Sequence, residues 1–140
     1  MSDKENTQRK IAEMKQRIVF WIVLGLVVEK ILQHGLSALF FVVSFEGIGK
    51  PDVGRIPLSD PVMAALNLVV MGFFILGFWD ISRHRIRGLH VVIVLSLFDI
   101  IAEFVFHGFG FITVSVAVAI LLIGLALDLI YDRHQTMLTG

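Results

Sequence analysis

Residues 89–107 read Leu89-His90-Val91-Val92-Ile93-Val94-Leu95-Ser96-Leu97-Phe98-Asp99-Ile100-Ile101-Ala102-Glu103-Phe104-Val105-Phe106-His107. The apolar run Val91-Val92-Ile93-Val94-Leu95 does not alternate with polar residues, as a strand of a membrane barrel would. It belongs to a stretch of the length that crosses a ~30 Å hydrocarbon layer as a helix, about 20 residues. In lipid the backbone must satisfy its own hydrogen bonds, so a helix follows. Its polar residues Asp99, Glu103 and His107 recur every fourth position and form one stripe about 80° wide.

Three further stretches have the same character: residues 18–45, 61–81 and 111–131. The whole composition agrees. Of 140 residues, 56% are hydrophobic and 17% charged, with a mean hydropathy of +0.84. Soluble domains hold ~45–50% apolar and ~25% charged residues. The expected fold is all-α, an antiparallel four-helix membrane bundle. It divides into an amphipathic N-terminal segment (1–17), a transmembrane domain (18–135) and a short tail (136–140). Residues 18–45 are too long and too polar for a cleaved signal, whose apolar core is ~7–15 residues.

Lysine and arginine set the orientation. Nine of the twelve (Lys4, Arg9, Lys10, Lys15, Arg17, Arg83, Arg85, Arg87 and Arg133) lie on one side, and only Lys50 and Arg55 on the other. Both termini are therefore expected in the cytoplasm. Ile11, Met14 and Ile18 recur at helical spacing and predict a surface-lying helix leading into the first span. The one long loop, 46–60, carries Gly47, Gly49, Pro51, Gly54 and Pro57, all turn formers. Ser59-Asp60-Pro61 predicts a helix start with Asp60 as N-cap. Residues 108–110 predict a tight hairpin between the last two spans.

A faint internal repeat runs through the chain. Gln33-His34-Gly35 is echoed by Phe106-His107-Gly108, each after an acid, Glu29 or Glu103. Arg83-His84 is echoed by Arg133-His134. Both halves start on the same side, so the repeat would be parallel.

Ionisable residues inside a span cost ~2.5–3.5 kcal/mol on insertion scales and mark functional sites. The first span places Glu29, Lys30, Gln33, His34 and Ser37 on one face, within an arc of about 140°. With a ~1.5 Å rise per residue, Glu29 matches Asp99 in depth and His34 matches Glu103. The expected site is therefore Glu29, His34, Asp99, Glu103 and His107, supported by Lys30, Gln33 and Asp128. Buried neighbouring carboxylates and imidazoles suit proton or cation exchange, with Lys30 as counter-charge to Glu29 or Asp99. Asp128 would reach the inner surface or pair with Arg83 or Arg133. Gln33, Ser37, Asn67, Thr113 and Ser115 would join helices by hydrogen bonds. Gly25, Gly35, Gly72, Gly77, Gly108 and Gly124 would allow close packing.

Two cofactor readings compete. His34, Glu103 and His107 could hold a divalent metal. The i, i+4 spacing of Glu103 and His107 departs from the i, i+3 pattern of di-iron bundles. Haem ligation by His34/His107 and His84/His134 resembles the two-haem, four-helix membrane cytochromes, but the second pair sits beside arginines at the aqueous boundary. A non-catalytic accessory subunit is the third reading. A redox or lipid-modifying enzyme would need the metal or haem. No phosphate loop, Gly-x-Ser-x-Gly elbow or His-Glu-x-x-His motif occurs. The absence of cysteine excludes disulfides and thiolate sites, and the zero net charge argues against nucleic acid. The expected partners are the bilayer and either a second copy or a partner membrane subunit.

Overall fold

The computed structural model describes residues 3–43, 58–107 and 113–139, with side chains from 6 to 43, 58 to 106 and 113 to 135. Four helices account for them: α1 (Asp3–Val42), α2 (Asp60–Ser82), α3 (Ile86–His107) and α4 (Val114–Thr139). All four are long and apolar enough to cross a membrane. The loop expected over 46–60 lies outside the described residues as far as residue 57, and so does the hairpin at 108–110.

α1 runs unbroken for 40 residues. The amphipathic segment and the first span are therefore one rod about 60 Å long at 1.5 Å per residue. Nothing interrupts it: no proline occurs before Pro51. Arg9 and Glu13 form an exposed i, i+4 pair at 3.3 Å in its polar part. α2 starts one residue earlier than expected. Ser59, with extended backbone, is the N-cap; Asp60 opens the helix and Pro61 follows in its first turn. Proline is tolerated there because the N–H it lacks would have no partner in the helix. Asp60 still places its charge against the positive end of the helix dipole. α4 has the cap that α2 lacks. Val116 N–H donates to Thr113 Oγ1 at 3.3 Å, so Thr113 is an N-cap and, among the described residues, not a helix-to-helix link.

α2 stops by a Schellman motif. Arg85 N–H donates to Asp80 O and His84 N–H to Ile81 O, each at 2.8 Å. That motif needs a left-handed residue, ordinarily glycine; here it is His84, with φ 56°. Its ring stacks on Phe20 at 5.0 Å and its carbonyl accepts Arg133 Nη1 at 2.7 Å. Arg83 meanwhile lies over Trp79, 4.3 Å from the ring centroid. The buried carboxylate of Asp80 accepts Arg87 Nε at 2.8 Å and Arg85 Nη1 at 3.4 Å. Gly88 fits this turn because a β-carbon would stand 2.6 Å from Ile81 N and 2.8 Å from Gly77 O. A β-carbon on Gly77 would likewise stand 2.8 Å from Val92 Cγ2. These two glycines let α2 and α3 approach closely, whereas Gly25, Gly72 and Gly124 face open space.

Successive helices pack side by side and α4 closes on α1, so α1 and α3 lie across the bundle diagonal. Lys15 in the first half of α1 meets Asp128 in the second half of α4, which makes these helices antiparallel and puts the start of α1 and the end of α4 at the same end of the bundle. The core is a column of Val23, Val27, Phe74, Val92, Leu122 and Ala126, all fully buried. The outer faces are apolar as well: Trp21, Val94 and Ile120 are more than half exposed. That pattern is natural in hydrocarbon, where a helix is apolar all round.

Candidate functional site

The inward face of α1 repeats at Val23, Val27, Lys30, His34 and Ala38, the spacing of a helix that packs along one seam. Lys30 and His34 therefore occupy core positions. Lys30 is fully buried. Its ammonium has three protons to give, and oxygens surround it: Asp99 Oδ2 at 3.0 Å, Ser115 Oγ at 2.8 Å, Ser115 O at 3.0 Å and Gln33 Oε1 at 3.2 Å. One side chain thus joins α1 to α3 and α4.

His34 joins α1 to α2 and α3. Its Nδ1 is 2.9 Å from Asn67 Oδ1 and its Nε2 is 3.2 Å from Asp99 Oδ1. The ring stacks on Phe74 at 5.7 Å. Asn67 donates its own Nδ2–H to Met63 O at 2.9 Å, which orients its carbonyl towards His34. The network therefore assigns a proton to His34 Nδ1. The second nitrogen then faces a carboxylate. A neutral imidazole has only one N–H, and two acceptors cannot share a hydrogen bond. A hydrogen bond between His34 Nε2 and the Asp99 carboxylate requires a proton on one of the two. Asp99 is the hub: its Oδ2 accepts from Lys30 at 3.0 Å, and His34 Nε2 faces both of its oxygens, Oδ1 at 3.2 Å and Oδ2 at 3.4 Å.

Beside this hub is a cavity of about 200 Å³ whose polar walls are Gln33, His34, Ser37, Asn67, Asp99, Glu103 and Ser115. Apolar side chains including Phe41, Phe98 and Phe106 complete it. Of the expected site, His34, Asp99 and Glu103 meet here. Glu29 does not join them. It sits one residue, about 100°, from Lys30 around the helix, and its Oε2 is buried without a hydrogen-bond partner among the described residues. Asp128 is remote from the cavity and pairs with Lys15 at 3.2 Å, not with Arg83 or Arg133. The His107 side chain lies outside the described residues.

The structure raises the rank of three residues. Lys30, expected as support, is the centre of a four-oxygen shell. Asn67 and Ser115, expected as generic links, hold His34 and Lys30 respectively. Their signal in the sequence was depth alone: each is a lone polar residue near the same end of its span.

The geometry bears on cofactors too. Among the described residues no group of three His, Cys, Asp or Glu side chains is placed to hold a metal ion. Both ring nitrogens of His34 are engaged, so neither is free to act as an axial ligand. Comparison with protein-family models, with curated proteins and with solved structures finds no match to this chain.

Proposed function

We propose that this integral membrane protein handles protons, exchanging them at the Asp99–His34 pair as a small carrier or channel component. The observation that carries the reading is the carboxylate–imidazole pair itself: Asp99 Oδ1 and His34 Nε2, 3.2 Å apart, on the wall of a polar cavity. Lys30 supports a proton over a metal cation, because its ammonium already occupies the Asp99 carboxylate at 3.0 Å. The arginine and lysine asymmetry supports cytoplasmic termini. A bundle of this size has little room for a complete pathway, so assembly as a homo-oligomer or with a partner membrane subunit belongs to the same reading.

Proton flux into proteoliposomes tests it. Asp99→Asn removes one member of the pair and His34→Gln the other. Each is expected to slow flux by at least about tenfold, the low side of what positioned acid–base groups contribute. Flux equal to wild type in both variants, with folding intact, sinks the proposal.

One observation favours a second reading, an accessory subunit whose polar groups only lock the bundle. Lys30 and His34 together tie all four helices, and polar contacts of this kind do hold membrane helices together. The double variant Lys30→Met/Asp99→Leu separates the two. A lock predicts flux unchanged wherever the bundle still forms; a proton site predicts loss of flux in that same bundle.

A further inference from the structure

A second cavity, of about 690 Å³, opens at the other end of the bundle, between α1, α4 and the turn after α2. We infer that it is a binding site for an anionic phospholipid.

Its lining is divided by chemistry. Phe20, Leu24, Phe78 and Leu129 supply apolar walls, and Arg17 and Arg133 supply two guanidinium groups. Ligand cavities span ~300–1,000 Å³, and this one accommodates a headgroup with the first part of an acyl chain. The arginines are available to an anion. Arg17 has no carboxylate partner among the described residues. Among the described residues Arg133 uses only Nη1, on His84 O at 2.7 Å, which leaves the rest of its planar fork for a phosphate. Glu13, the one acid in the lining, is turned to Arg9 at 3.3 Å.

The surroundings favour a lipid over a soluble anion. The cavity lies on the side that carries nine of the twelve basic residues, where an anionic leaflet is attracted. Trp21, 69% exposed on its rim, is the residue type that settles at headgroup level. The floor is preformed: Phe20 stacks on the left-handed His84, whose carbonyl Arg133 clasps.

Trp21 is also the reporter. The chain has two tryptophans, so Trp79→Phe leaves Trp21 alone. Its quenching is followed in mixed micelles with brominated phosphatidylglycerol or brominated phosphatidylcholine. Phosphatidylglycerol is expected to quench at a mole fraction at least about fivefold lower. Arg17→Gln, which breaks no hydrogen bond or ion pair among the described residues, is expected to erase about fivefold of preference, as one arginine near an anionic surface contributes. Lys10→Gln, a surface charge on the same side, should leave it unchanged. Equal quenching by the two lipids overturns the inference, as does an equal loss in Lys10→Gln. Relief of quenching by inorganic phosphate at matched ionic strength would assign the site to a free anion and overturn the lipid.

Discussion

Lys30 Nζ and Asp99 Oδ2 stand 3.0 Å apart, on side chains 0% and 7% exposed, across the diagonal of the bundle. A pair so placed is asymmetric under mutation. Each charge alone is unsupported in an apolar interior, whereas removing both charges removes the problem.

Asp99→Asn or Lys30→Met alone should therefore cost ~3–5 kcal/mol, and Lys30→Met/Asp99→Leu much less than the sum. Thermal unfolding in a mild detergent measures both. Additive losses would show that the two charges act independently, against the geometry described.

Asn67→Leu deprives His34 Nδ1–H of its acceptor. A buried donor left without a partner costs ~1–3 kcal/mol. Nitrogen NMR of labelled histidine should show Nδ1 protonated in the wild type and the tautomer redistributed in Asn67→Leu. An unchanged spectrum would remove Asn67 from the network.

Gly88→Ala drives a methyl group against the backbone of α2, at Ile81 N and Gly77 O. Backbone cannot yield as a flexible side chain does, so a loss of ~1–3 kcal/mol is expected, as for an overpacked core. Gly72→Ala, with nothing within 4 Å, should be neutral or stabilise by up to ~1 kcal/mol through helix propensity. Equal transition temperatures for the two variants would contradict the packing described.

Asp128→Asn should change little. Its pair with Lys15 joins side chains 37% and 59% exposed, and exposed pairs contribute ~0–1 kcal/mol. What effect exists should vanish at high salt, because screening shortens the reach of surface charges.

The spans were legible in the sequence because membrane length and backbone satisfaction leave few choices. Residues 61–81 became Asp60–Ser82 and residues 89–107 became Ile86–His107. The stop of α2 was not legible. Its signal is ordinarily glycine, and here a histidine takes the left-handed conformation with its ring and carbonyl held by Phe20 and Arg133. The site was half legible. Period and depth brought His34, Asp99 and Glu103 to one region, and the polar face of α1 included Lys30. Whether Glu29 or Lys30 would point inward depends on rotation of α1 by about 100°, one residue step. Only packing against the other helices fixes that rotation. The same holds for Asp128, whose partner Lys15 could not be expected until α1 was known to continue as a single helix below the first span.

That continuity has a mechanical side. About 27 residues of unbroken helix separate Asp3 from Lys30, a lever about 40 Å long. A tilt of about 10° around the level of Lys30 would sweep its far end through about 7 Å at that length. A rearrangement too small to break the Asp99 contacts would thus be a large displacement at the aqueous end of α1. Conversely, any partner gripping that end would hold the charged centre with a long mechanical advantage.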